Sequence, residues 1–250
     1  MSGIGLTLRQ VRFENRAFWR NPAAAFFTFV FPLLFMVIFN VVFAGGAEGA
    51  GRFFTPAIIV FAVVTATYTN LAMTVTVARD DGILKRIRGT PLPALSYLLA
   101  RMIHAALLAL LLVIIVAAFG AVFYGVPVPW DRLPALLATL VVSAAAFCAL
   151  GLALTGVIPN ADAAPAIVNA TILPLFFISN VFIPLQNAPQ WLDVVSSIFP
   201  VRHFADAMLR IYDPAAAGSG FSPSDVGVIA LWGIAGLVLA LRSFSWEPRH

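Results

Sequence analysis

The residues best equipped for chemistry sit in one short run, RDDGILKRIRGTPLP at positions 79–93, between two long apolar segments. Their types suit docking rather than catalysis. Asp80 and Asp81 precede Lys85, Arg86 and Arg88, an order of charge that fits the dipole of a short helix. Gly89 is placed to end that helix, and Pro91 and Pro93 prevent its continuation. At helical spacing Ile83, Leu84 and Ile87 share a face. An apolar knob with basic flanks is a shape that enters a groove on another protein. The same charges also suffice to hold a loop on the cytoplasmic side, and spacing alone leaves both readings open.

Other reactive residue types are scattered. The sequence has no G-x-x-x-x-G-K-[ST] phosphate loop, so energy from ATP would have to come from another polypeptide. His104 and His203 have no nucleophile or metal-ligand partner at useful spacing, and Ser143 and Ser179 have no base beside them. The single cysteine, Cys148, lies in an apolar stretch. Asp162 reads as a helix N-cap. No catalytic, cofactor-binding or metal-binding residue is expected in this chain.

The elements that must carry the charged run are membrane helices. The chain is 61% hydrophobic and only 10% charged, against about 25% charged in soluble domains. Crossing the hydrocarbon core takes about 20 apolar residues. Six segments meet or approach that length: 23–44, 56–78, 102–124, 133–158, 165–183 and 226–241. The first is longer than the apolar region of a cleaved signal and is expected to be retained. Residues 4–20 read as an amphipathic helix lying at the interface. Arg9, Arg12, Arg16 and Arg20 form a stripe beside Ile4, Leu8, Val11, Phe18 and Trp19. Lipid is the expected partner of this basic helix, and nucleic acid is not.

Basic residues orient the spans. With the N-terminus inside, the cytoplasmic side holds Arg9, Arg12, Arg16, Arg20, Arg79, Lys85, Arg86, Arg88, Arg101, Arg242 and Arg249. The outer side holds Arg52, Arg132, Arg202 and Arg210. Both termini are therefore expected in the cytoplasm, although the inner loop 159–164 has no basic residue. Between the fifth and sixth spans, residues 184–212 are too apolar for a solvated loop. They read as two short helices, 189–199 and 201–212, that re-enter the outer leaflet under cover of other protein.

Within the spans the polar groups are hydroxyls and amides rather than ionisable side chains, which argues against ion coupling. On a regular helical wheel Thr65, Thr69 and Thr76 share one side, and Thr67, Asn70 and Thr74 lie nearly opposite. One side is available to line a route; alternatively, most of these hydroxyls bond their own helix or a neighbour. Twenty-two phenylalanines add apolar surface suited to an amphiphile. Candidate route residues are Thr65, Thr69, Asn70, Thr76, Phe177 and Phe182.

Two stretches carry a resemblance. RDDGILKRIRGTPLP, with SYLLAR shortly after it, resembles the coupling-helix signature of the membrane subunits of type-two ABC exporters, among them daunorubicin, multidrug, lipid and polysaccharide export permeases. Gly82, Leu84, Arg86, Thr90 and Pro91 fit that signature, with Asp80 in place of the usual Glu and Ile83 in place of Thr. FFISNVFIPLQNAPQWLDVVSSIFPVRHFADAMLR is similar to the family's phenylalanine-rich, Pro-x-Trp, Pro-x-x-His segment, with Asn180 where Gly is common. The resemblance implies an all-α integral membrane protein of six transmembrane helices forming one transport domain over 1–250. An N-terminal interfacial helix, a coupling helix at 80–89 and two outer re-entrant helices complete it. It implies that Asp80, Asp81, Gly82, Ile83, Leu84, Lys85, Arg86, Ile87, Arg88, Thr90 and Pro91 meet a separate ATPase subunit, which holds the ATP and Mg. A second copy of the chain, or a homologous permease, would complete the route in the bacterial inner membrane. The expected cargo is a hydrophobic or amphiphilic compound; a lipid-linked polysaccharide is the alternative. A partner-independent channel or secondary transporter, and an intramembrane lipid enzyme, are the competing classes.

Overall fold

In the computed structural model, residues 3–43, 50–89, 93–185 and 189–244 are described. Every regular element among them is a helix, as long apolar runs demand where no water is available to satisfy the backbone. In chain order they are α1 (Gly3–Trp19), α2 (Pro22–Phe43), α3 (Ala50–Val64), a π-helical turn (Thr65–Thr69), α4 (Asn70–Asp80) and α5 (Ile83–Arg88). Then come α6 (Ala94–Tyr124), a 3-10 turn (Trp130–Arg132), α7 (Leu133–Thr155), α8 (Ala164–Ile178), α9 (Gln190–Ser196), α10 (Pro200–Tyr212) and α11 (Pro223–Ser243).

Among the described residues, five helical stretches are long and apolar enough to cross a membrane: Pro22–Phe43, Ala50–Asp80, Ser96–Tyr124, Trp130–Thr155 and Pro223–Ser243. The expected fifth span forms only a 15-residue helix, α8, which at 1.5 Å per residue covers about 22 Å of a roughly 30 Å core. It does not extend to position 183 because Asn180 takes a left-handed conformation, φ 57°. Asparagine tolerates this better than most residues. Its carboxamide then accepts the Leu185 N–H at 2.8 Å and donates to Asp206 at 2.8 Å, which fixes the turn.

The second span also differs from expectation. It starts by Ala50, so Pro56 lies inside the helix rather than opening it, and residues 50–55 are not loop. Pro56 is itself buried, and a proline is tolerated there because neighbouring helices enclose the backbone. The helix α3 is the centre of the bundle: Ile58, Ile59, Val60, Ala62 and Val64 are fully buried. Small residues set its packing and that of α7. A Cβ on Gly151 of α7 would come 2.7 Å from the Tyr68 carbonyl in the π-turn, and one on Gly233 of α11 would come 2.8 Å from Ala146 Cβ. These are the close helix approaches that small residues permit in membranes. By contrast α2 and α11 leave most of their apolar surface exposed.

Candidate functional site

The charged run folds differently from its expected form. Helix α4 continues to Asp80, Asp81 caps its C-terminal end, and Gly82 breaks the chain with φ 70° before α5 begins at Ile83. Asp80 and Asp81 therefore do not open the short helix. The Asp80 carboxylate instead accepts the Ala161 N–H at 2.9 Å, gripping the α7–α8 loop. The expected apolar knob is also divided. Leu84 is wholly buried in a cluster with Leu71, Val75, Tyr97 and Cys148, and Ile87 packs partly against it. Ile83, at 41% exposure, points out, together with Lys85 and Arg86. A six-residue helix is too short to bury three apolar side chains on one narrow face and also offer them to a partner. Leu84 anchors the helix, and the outward surface is Ile83 with two cations. Gly89 is the C-cap in ordinary right-handed geometry. Thr90 and Pro91 lie outside the described residues, as does the Arg88 side chain.

Sequence reasoning treated Arg79 as one more topogenic charge. It is 1% exposed. Its guanidinium donates to the carbonyls of Thr155 at 2.8 Å and of Ile158 at 2.6 Å and 3.3 Å to that of Pro159. These oxygens lie at and just beyond the C-terminal end of α7, where carbonyls lack intrahelical partners and a cation suits the dipole. Arg79 and Asp80 thus hold the loop that has no basic residue of its own. The turn is further closed by Asn160, whose side chain accepts the Ala163 N–H at 2.9 Å. That is the capping role expected of Asp162, which is exposed. The N-cap position of α8 is Ala163, one residue beyond Asp162, so Asp162 does not cap the helix and Asn160 closes the turn before it.

At the opposite end of α7, Arg132 does for α10 what Arg79 does for α7. It donates to the carbonyls of Ile211 at 3.1 Å, Asp213 at 2.6 Å and Ala216 at 2.6 Å. Helix α10 buries Val201, Phe204, Met208 and Ile211. On its polar face Arg202 pairs with Asp193 at 3.1 Å and with Asp206 at 2.6 Å. His203 sits between the Asp225 carboxylate at 2.6 Å and the Ser197 carbonyl at 2.8 Å. These contacts tie α10 to the turn after α9 and to the start of α11.

The candidate route residues separate. Thr65, Thr69 and Asn70 line one cavity of about 210 Å³ between α2, the π-turn and α6. Thr76 does not join them: it is wholly buried. The π-turn holds more residues per turn than an α-helix, so it rotates everything after Thr69 relative to a regular wheel. That rotation brings Asn70 beside Thr65 and sends Thr76 inward. Thr67 and Thr74 bond the carbonyls four residues back, at 2.6 Å and 2.7 Å. Phe182 is 2% exposed and stacks on Phe35 at 5.5 Å within a cluster that includes Phe61 and Phe176, so it is core rather than lining. Phe177 is 48% exposed and meets Phe182 edge-on.

Helix α1 lies along α6 and leaves Arg9, Arg12, Arg16, Trp19 and Arg20 exposed, beside exposed Ile4, Leu8 and Phe13. Trp19 stacks on Phe29 at 5.7 Å. Glu14 faces inward and meets Arg101 of α6 at 3.5 Å. Sequence gave no signal for this pair, since the partners are 87 positions apart.

Long apolar helices packed through small residues, with short charged connections held by Arg79 and Arg132, define a multi-pass helical membrane protein. The chain belongs to the ABC-2 type transporter family, which residues 7–212 match. A probable multidrug ABC transporter permease of Escherichia coli K12, YbhR, is 24% identical over 160 residues, or 64% of this chain and 43% of that protein. A putative transport permease of Porphyra purpurea, ycf38, is 26% identical over 204 residues, covering 78% of this chain and 69% of that one. The chain thus spans less than half the length of the E. coli relative.

Proposed function

We propose that this chain is the transmembrane subunit of an ATP-driven exporter that moves a hydrophobic or amphiphilic compound outward through a bacterial inner membrane. Both termini face the cytoplasm, α8 serves as a sixth, shortened span, and two copies, or one copy and a homologous permease, enclose the route. A separate ATPase subunit binds ATP and Mg and docks on α5. The observation that carries this reading is the arrangement of α5. Leu84 fixes the helix to the bundle while Ile83, Lys85 and Arg86 face outward. Force applied to that surface reaches α4 through Gly82, and reaches the α7–α8 loop through Arg79 and Asp80. The E. coli relative's description as a probable multidrug ABC transporter permease agrees with it. The exposed apolar faces of α2 and α11 supply surface for a second subunit or for lipid.

The test is co-purification with a candidate ATPase subunit from the same organism, co-expressed with the chain. Wild type should retain the ATPase, and Ile83→Asp combined with Arg86→Glu should lose it. Retention by the double variant, or no ATPase on the wild type, would remove α5 as the docking element.

A further inference from the structure

Two cavities of the bundle have Asn70 and Met73 in common among their lining residues and so adjoin one another. The first, about 350 Å³, has a polar end made by Glu14 of α1 with Arg101 and His104 of α6. The second, about 210 Å³, is lined by Phe27, Phe31, Phe61 and Leu112, with Thr65 and Thr69 of the π-turn at one side. Along the α3–α4 helix the lining runs from Phe61 to Ala78. At 1.5 Å per residue that is about 25 Å, close to the depth of one leaflet with its headgroups, about 20–22 Å.

The polar end is built and incomplete. His104 is 8% exposed, and its Nδ1 has no hydrogen-bond partner among the described residues. Arg101 Nε is buried too, 3.5 Å from Glu14 and without a hydrogen-bond partner among the described residues, while the guanidinium faces the Tyr97 ring at 5.1 Å. Buried polar groups left without partners are costly, and a ligand that offers an acceptor to Arg101 Nε and a hydrogen-bonding oxygen to His104 removes the cost. The carboxylate and guanidinium together are neutral and offer both signs within one small site. At the other end the rim is open: Phe27 is 65% and Phe31 46% exposed.

We propose that this groove binds a membrane amphiphile with a zwitterionic phosphate–ammonium head. The phosphate lies beside Arg101 and His104, the ammonium beside Glu14, and one acyl chain runs past Met73 toward Phe61. The site does not depend on the transport reading. A resident bilayer lipid and a transported amphiphile share this chemistry.

The experiment uses the purified chain in nanodiscs doped with a phosphatidylethanolamine carrying a diazirine in one acyl chain, with the sites of photolabelling mapped by mass spectrometry. Label should concentrate on the α2 and π-turn segments. Thr69→Trp, and independently Thr65→Phe, should lower it severalfold at unchanged thermal stability, while Val141→Trp on the exposed face of α7 should leave it unaltered. Unlabelled phosphatidylethanolamine should compete better than phosphatidylglycerol, and Glu14→Gln should narrow that difference. Label spread evenly over exposed helices, label indifferent to both groove-filling variants, or equal competition by the two lipids would overturn the proposal. In a complex with the ATPase, ATP-dependent loss of label marks the ligand as cargo and its retention marks a resident lipid.

Discussion

The Arg79 guanidinium donates to the Ile158 carbonyl at 2.6 Å, joining the end of α4 to the turn after α7 inside a site with almost no access to water. One cation therefore satisfies carbonyls that the end of α7 and the turn after it would otherwise leave open. It lies three residues before Gly82, which leads into α5, so the start of α5 is tied closely to the α7–α8 turn.

Removing that cation should be expensive. Hydrogen bonds to charged groups contribute about 1.5–3 kcal/mol each, and Arg79→Leu loses those to Thr155 and Ile158 together. We expect a loss of about 3 kcal/mol, less than the sum, because the desolvation cost of the charge disappears too. Arg79→Lys should fall between, since an ammonium lacks the planar fork. Thermal unfolding of the detergent-solubilised variants checks the order wild type, Lys, Leu.

The two neighbours Ile83 and Leu84 should behave oppositely. Leu84→Asp buries a carboxylate in an apolar cluster and should cost several kcal/mol, on the order of an unpaired buried polar group. Ile83→Asp touches a half-open surface and should leave stability within about 0.5 kcal/mol while weakening ATPase binding. Measuring unfolding and ATPase retention on both variants separates the anchor from the docking surface. Equal destabilisation by the two would contradict the division of the helix.

How much of this was legible follows from which interactions are local. The long spans, the basic flank and the arginine stripe of α1 follow from composition and period, which sequence carries directly. The end of α8 was missed because Asn180 acts through Leu185 and Asp206, and the second of these is 26 positions away. The roles of Arg79 and of the Glu14–Arg101 pair are tertiary, and a charge in a basic run gives no hint that it is buried. Thr76 was misplaced because a wheel with a fixed period does not see a π-turn. Asn70, assigned to the other side of that wheel, lies on the groove for the same reason.

Gly151 should tolerate no side chain. A Cβ there meets the Tyr68 carbonyl at 2.7 Å, and backbone cannot swing aside as a flexible side chain can. Gly151→Ala should cost about 1–3 kcal/mol by overpacking, seen as a lower unfolding temperature. It should also disturb the π-turn, and with it the 2.8 Å bond between the Tyr68 and Thr171 hydroxyls.

Tyr212 supplies a pH test. Its hydroxyl is buried with no partner among the described residues, and burial pushes its pKa up to about 12 from 10.0. The folded state then holds the proton more tightly than the unfolded one. This contribution is complete below pH 10 and is lost as pH rises toward 12. Tyr212→Phe should flatten the fall in stability over that window relative to wild type, and near pH 7 should be neutral or stabilising, since a lone buried hydroxyl is removed.

The most direct measurement is ATP hydrolysis by the candidate ATPase subunit in proteoliposomes, with this chain present, absent, or carrying Ile83→Asp and Arg86→Glu. The account predicts hydrolysis that rises with the wild-type chain and returns to the ATPase-alone rate with the folded double variant. Hydrolysis indifferent to the chain, or fully stimulated by the double variant, would contradict it.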